Sequence, residues 1–278
     1  MSDSRAIGVF DSGLGGLTVV KEIIRLLPNE NIVYFGDTGR VPYGAKSRDT
    51  IRKYALEDER FLLSNNVKLI VAACGTVSSV AADTAESLPV PFIEVVSHSV
   101  RSAVKATKNG KIGILGTAAT IRSSAHKKQI LELLPSALVF ENSAPLFVPL
   151  VEEGWISPDD GVVLATVERY LEPLLSKKID TLILGCTHYP VLEEAISRVA
   201  GQSVTLINMG KATAEFLKEY LTESKMLRSD VGSAERSFYV SDMTEAFRQT
   251  ASVLLGQNID ENNVKQVNIG AYDERSTD

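Results

Sequence analysis

Two cysteines are all the chain has in 278 residues. No disulfide framework can stabilise such a fold, so each thiol must be read as a buried residue, a metal ligand or a reagent. Basic charge is also short. Lys and Arg number 29 against 35 Asp and Glu, a formal net charge of −6, and no Lys/Arg run is interleaved with aromatics; no nucleic-acid partner is expected. There is no stretch of about 18 apolar residues, and the opening MSDSRAIGVF passes almost at once into a strand-like run without the charged and apolar regions of a leader. The expectation is a cytoplasmic protein with no membrane partner. No polar low-complexity tract stands out. Hydrophobic residues make up 44% and charged residues 23%, an ordinary globular balance, and the length allows two domains of about 100 to 150 residues each.

What is present is an alternation. Apolar runs at Ile7 to Phe10, Ile32 to Phe35, Leu69 to Ala73, Phe92 to Val95, Ile112 to Leu115, Leu138 to Glu141, Thr181 to Leu184 and Val204 to Asn208 read as strands. Amphipathic stretches between them, Leu17 to Leu27, Arg48 to Asn65, Val77 to Ser87, Ser97 to Thr107, Ser123 to Leu134, Pro158 to Ser176 and Tyr189 to Ala200, read as helices. This βαβ pattern predicts an α/β fold with parallel sheets flanked by helices. It also falls into two similar sets. AIGVFDSG leads to a strand ending at Cys74, and KIGILGTAAT leads, at comparable spacing, to a strand ending at Cys186. An internal duplication predicts two similar domains related by a pseudo-two-fold, with the active site in the cleft between them. The boundaries fall so that residues 1–98 plus 210–278 form the first domain and 99–209 the second. The tail, with helices at Ala212 to Thr222 and Thr244 to Leu255 and a strand at Ser237 to Val240, returns to the first domain; beyond Gln257 an edge element or frayed terminus is expected.

The cysteines sit where such sheets act. LIVAACGT and LILGCTHYP each end an apolar run at a thiol, and open α/β sheets bind ligands at the carboxyl ends of their strands. A strand cysteine taken singly is more often a small buried hydrophobe; two at matched positions point to joint use. Cys186, His188 and Cys74, with Asp11 as a fourth candidate, would make a soft zinc set, but C-T-H lacks the ligand spacing of a tight CxxC turn. The lack of CxxC also disfavours a redox pair. As acid and base, two thiols could move a proton off one face of a carbon acid and return one to the other, since their reference pKa of about 8.5 keeps both forms within reach of neutrality. Asp11 and His188 are the polar groups placed to take a thiol proton or orient a thiolate. Two turns could receive an anion: DSGLGG (11–16) with Ser12, and GTAAT (116–120) with Thr117 and Thr120. Neither has the spacing of a dinucleotide or Walker loop. RVPYGAKS (40–47) would form a wall or lid over the cleft.

Taken together, FDSGLGG (10–16), PYG (42–44), AACGT (72–76), GTAATI (116–121), PLFVPLVEEG (145–154) and LGCTHYP (184–190) resemble the cofactor-independent glutamate racemases of bacterial cell-wall synthesis, in order and over about residues 6–221. The resemblance implies interconversion of L- and D-glutamate to supply D-glutamate for peptidoglycan, with no metal, flavin or pyridoxal phosphate, in a protein that commonly forms homodimers. It implies that Cys186 takes the proton from L-glutamate and Cys74 from D-glutamate, assisted by His188 and Asp11 on their respective sides. Substrate contacts are then expected from Ser12, Pro42, Tyr43, Gly44, Gly75, Thr76, Thr117, Thr120, Glu152, Thr187 and His188.

Two departures stand out. The family usually reads CNT where this chain has Cys74-Gly75-Thr76, and it usually has an acidic D-S-type turn where this chain has Asn208-Met209. A lost hydrogen bond to a charged substrate would cost roughly 1.5 to 3 kcal/mol. Three other readings remain beside a glutamate racemase: an aspartate or broad-specificity amino-acid racemase, a weakly active paralogue that retains a carboxylate pocket, and a zinc-dependent hydrolase.

Overall fold

A computed structural model describes residues 3–229, 232–243, 247–259 and 263–273. Six parallel strands, β1 (Ile7–Asp11), β2 (Ile32–Gly36), β3 (Leu69–Ala72), β4 (Phe92–Glu94), β9 (Arg236–Val240) and β10 (Val264–Gln266), form one sheet in the order β10-β9-β2-β1-β3-β4. Four more, β5 (Lys111–Gly116), β6 (Leu138–Ser143), β7 (Thr181–Gly185) and β8 (Thr205–Asn208), form a second parallel sheet in the order β6-β5-β7-β8. The first four strands of each set follow the same topology, 2-1-3-4 in one and 6-5-7-8 in the other. The duplication read in the sequence is thus a duplication of strand order, and β9 and β10 extend the first sheet beyond β2.

Why the strands read as unbroken apolar runs follows from their cover. All of β1, β2, β3 and β7 is buried, as expected when helices pack on both faces of a parallel sheet. Alternation sends Leu69 and Val71 to one core cluster and Ile70 and Ala72 to another on the opposite face. The larger cluster runs from the first sheet into the second through α1 (Leu17–Leu26), α4 (Val95–Ala106) and α10 (Met209–Glu223). The smaller lies beneath α2 (Arg48–Ser64). No helix among the described residues is long and apolar enough to cross a membrane.

The helices differ from the sequence pattern where local hydrogen bonds compete. The stretch Val77 to Ser87 is not one helix: α3 (Gly75–Val80) stops and a 3-10 turn covers Ala82–Ser87. Thr84 Oγ1 donates to the carbonyl of Ala81 at 2.9 Å and to Glu59 at 2.6 Å, stabilising the tighter turn. Ser123 to Leu134 divides into α5 (Ala118–Ser123) and α6 (Ala125–Leu133), because Ser124 is left-handed with φ 51°. The helix expected at Ser97 begins at Val95, capped by the Glu94 carboxylate on the amides of Val96 and Ser97. Completing the set are α7 (Phe147–Glu152), α8 (Gly161–Leu175), α9 (Glu193–Ala200), which follows a 3-10 turn at Tyr189–Leu192, and α11 (Phe247–Leu255). Of the last, residues 244–246 of the expected helix lie outside the described residues. The edge element expected after Gln257 is β10, paired with β9.

Candidate active site

Strand order dictates where a ligand goes. In the first sheet the chain leaves β1 for β2 on one side and reaches β3 on the other; in the second, β5 stands in the same relation to β6 and β7. Each sheet therefore has a crevice at the carboxyl ends of two adjacent strands. One crevice carries Asp11 and Cys74, the other Thr117 and Cys186. A cavity of about 380 Å³ joins them, lined by both cysteines.

The first half lends it Ser12 from the DSGLGG turn, the segment Pro42, Tyr43 and Gly44, and Gly75 and Thr76 from the start of α3. From the second half come Thr117, Glu152, Thr187 and His188. Twelve of the fourteen residues expected at the site line this one cavity. Asp11 and Thr120 do not. Thr120 acts one step back, its hydroxyl 3.0 Å from that of Thr117, which in turn lies 3.2 Å from the Thr76 hydroxyl across the cleft. Asp11 is buried beneath the turn, accepting from the Gly13 amide at 3.0 Å, while its other carboxylate oxygen has no protein partner. Tyr43 contributes its ring position but not its hydroxyl, which donates to Asp37 and Asp58 away from the cavity.

Residues missed by sequence reading are apolar: Val41, Pro145, Val148 and Pro149 complete the wall. A signal for three of them was present. Pro145, Val148, Pro149 and Glu152 follow an i, i+3, i+4, i+7 spacing, so the helical repeat that brings Glu152 to the site brings them too.

The two thiols have unlike surroundings. Cys74 Sγ donates to Ser12 Oγ at 3.4 Å. Burial, reinforced by the nearby Asp11 charge, pushes its pKa up to about 12, against the smaller pull of Ser12. It is a neutral thiol at physiological pH. Cys186 Sγ lies 3.9 Å from His188 Nδ1, and His188 Nε2 lies 3.1 Å from Glu152 Oε1. Burial opposes charge on His188, but Cys186 and Glu152 together outweigh it and raise its pKa to about 10. The cationic imidazole places positive charge beside the Cys186 sulfur. For Asp11, burial raises the pKa, opposed by His188 and the backbone amides of Gly16, Gly13 and Ser12. One wall thus offers a proton and the other a site for accepting one. Among the described residues no group of three or more His, Cys, Asp or Glu is arranged to hold a metal ion.

Residues 7–217 match the Asp/Glu/hydantoin racemase family. A curated glutamate racemase from Syntrophus aciditrophicus is 44% identical over 254 residues, 91% of this chain and 93% of that protein. One from Geobacter metallireducens is 42% identical over 97% of this chain and 99% of its own length. Among solved structures, a Francisella tularensis glutamate racemase in complex with D-glutamate superposes with a TM-score of 0.89 at 38% identity, covering 97% of this chain and 100% of that one. The doubled strand order, the shared two-thiol cavity and these similarities make the chain a member of the Asp/Glu/hydantoin racemase family.

Proposed function

We propose that this protein interconverts L- and D-glutamate by proton transfer at the α-carbon between two thiols. The observation that carries the reading is the pair of sulfurs on one cavity, Cys74 hydrogen-bonded to Ser12 and Cys186 beside His188. In the direction from L-glutamate, Cys186 as thiolate takes the α-proton and the Cys74 thiol returns its own proton to the opposite face of the carbanion. In the reverse direction Cys74 must first lose its proton. Ser12, its hydrogen-bond partner, and Asp11, with an unpaired carboxylate oxygen, are the groups that assist. His188, held by Glu152, receives and returns charge on the Cys186 side. Ser12, Thr76, Thr117 and Thr187 offer hydroxyls to the substrate, Thr120 holds Thr117 in place, and the segment Pro42, Tyr43 and Gly44 closes the wall. No cofactor has a part in this scheme.

The same reading gives the product a use in peptidoglycan synthesis, places the enzyme in the cytoplasm as a homodimer, and divides the chain into one domain of residues 1–98 plus 210–278 and another of 99–209. The high identity to glutamate racemases favours glutamate over aspartate. Circular dichroism and solvent-deuterium incorporation at the α-carbon of glutamate, for wild type, Cys74→Ser and Cys186→Ser, test the mechanism; unchanged racemisation in both variants would refute it. Parallel assays with aspartate test the substrate.

A further inference from the structure

The turn that carries Cys186 is short of one donor. The Tyr189 N–H bonds back to the Cys186 carbonyl at 3.1 Å and the Val191 N–H to the His188 carbonyl at 3.1 Å, two i to i+3 rungs leading into the 3-10 turn at Tyr189–Leu192. The rung between them would run from residue 190 to the Thr187 carbonyl. Residue 190 is proline, which has no N–H to give. The Thr187 carbonyl, set between the Cys186 thiol and the His188 imidazole, therefore has no donor from its own turn.

That donor comes from the other half of the fold. Thr18, in the first turn of α1, is buried, and its hydroxyl lies 2.8 Å from the Thr187 carbonyl oxygen and 2.9 Å from that of Gly15. A hydroxyl has one proton to donate. The Gly15 carbonyl already accepts from the Thr18 N–H at 3.0 Å, so the proton is needed at Thr187. The helix that presents it has little freedom. A Cβ on Gly210, in the first turn of α10, would stand 3.1 Å from the α-carbon of Val19 and 3.4 Å from the Thr18 carbonyl oxygen, so α1 and α10 approach backbone to backbone at this point. At its other end this first turn of α1 grows directly out of DSGLGG, the segment that sets Asp11 and Ser12 beside Cys74.

We propose that Thr18 is a positioning residue: its hydroxyl fills the rung that Pro190 leaves open and so ties the Cys186–His188 turn to the helix that starts beside Cys74. The proposal rests on the racemase reading. Proton transfer between two fixed bases tolerates little displacement, and this bond reaches across the halves to the one peptide carbonyl lying between sulfur and imidazole. Without it a carbonyl in a buried turn loses its donor, and the turn is free to shift relative to Cys74.

The test is a double-mutant cycle of Thr18→Val, which keeps the shape and removes the hydroxyl, and Pro190→Ala, which returns an N–H to the open rung. Thr18→Val is expected to lower kcat about tenfold or more, with KM for glutamate changed less than about threefold, and to lower Tm. Thr18→Ser, which keeps the hydroxyl, should stay within about threefold of wild-type kcat. Adding Pro190→Ala to Thr18→Val should recover part of the lost Tm, because the carbonyl has a donor again, and leave kcat low, because the new bond stays within one turn and no longer joins the halves. The proposal fails if Thr18→Val keeps kcat within about twofold of wild type. It fails equally if Pro190→Ala restores kcat along with Tm, which would make the bond a local stabiliser alone. Thr18→Ala, too small to clash, carries the same expectations and decides the matter if Thr18→Val does not fold. Wild-type turnover of glutamate and aspartate, measured first, judges the racemase reading separately; the Tm coupling between positions 18 and 190 needs no turnover.

Discussion

The α-carbon of Gly15 packs directly against the imidazole of His188: a Cβ at Gly15 would lie 2.6 Å from His188 Nδ1. Residues from opposite halves of the duplicated fold are thereby in contact, and the contact is pinned nearby by the Thr18 hydroxyl, which donates to the Thr187 carbonyl at 2.8 Å. Gly15→Ala should push His188 off its line between Cys186 and Glu152, together with the Thr187 hydroxyl, which the new Cβ would meet first at 2.2 Å. The expected result is a loss of about 10²-fold in kcat, with the chain still folded by far-UV circular dichroism. Wild-type kcat in a folded Gly15→Ala protein would show that the imidazole's position is not critical.

The unlike thiols should differ in reactivity. At pH 7.5 iodoacetamide should modify Cys186 at least about tenfold faster than Cys74, because the thiolate is the nucleophile and a neighbouring imidazolium favours it, whereas the Cys74 thiol keeps its proton up to about pH 12. His188→Asn should remove most of that advantage. Peptide-resolved mass spectrometry over a time course gives both rates; equal rates in the wild type would contradict the contrast between the Cys74 thiol and a sulfur beside the His188 imidazolium.

Much of this arrangement was legible because it is repeated. Cys74 and Cys186 end strands in matched halves, and the site sits where strand order predicts a crevice. The cues that failed were side-chain specific. Tyr43 occurs in a site motif, but its hydroxyl is claimed by Asp37 and Asp58, two carboxylates that nothing in the local sequence marks as buried partners. Ser124 carries no glycine to signal its left-handed turn. The bond from the Thr18 hydroxyl to the Thr187 carbonyl joins residues 169 positions apart. Pro190, which leaves that carbonyl open, could be seen in the sequence; the hydroxyl that meets it could not.

Glu59 offers a test of burial through pH. It is fully buried, one carboxylate oxygen accepts from Thr84 and the other has no protein partner. Burial raises its pKa from 4.5 to about 7, against the opposing effect of the Thr84 bond. Below pH 4.5 the carboxyl is protonated in both folded and unfolded chains. As pH rises from there through 7 the unfolded chain releases the proton first, so folded-state stability falls. Glu59→Gln should abolish this slope, making the variant gain roughly 1 to 3 kcal/mol relative to wild type between pH 4.5 and 8. Urea denaturation at both pH values measures it, and a pH-independent difference between the two proteins would rule the assignment out.

Arg40 anchors the wall that carries Pro42, Tyr43 and Gly44. Its guanidinium reaches Asp37 at 2.5 Å, Asp58 at 3.1 Å and Glu57, while Tyr43 donates to the same Asp37. Burial and the neighbouring Asp37 charge raise the pKa of Asp58, only partly offset by Arg40. The cluster gathers three carboxyl groups around Arg40, Glu57 being shared with Lys53 at 3.6 Å, and removing Arg40 leaves Asp37 and Asp58 buried with the Tyr43 hydroxyl but no cation among the described residues beside them. Arg40→Met should cost about 3 to 5 kcal/mol at pH 8, and less at pH 5, where Asp58, its pKa raised by burial, takes up a proton more readily. Arg40→Lys should recover only part, because an ammonium cannot present the planar fork that reaches all three acceptors. Because Tyr43 lines the cavity, kcat/KM should fall together with stability in both variants. A loss below about 1 kcal/mol in Arg40→Met, the range of an exposed ion pair, would mean that the loop is held by its apolar contacts and that the carboxylates find other partners.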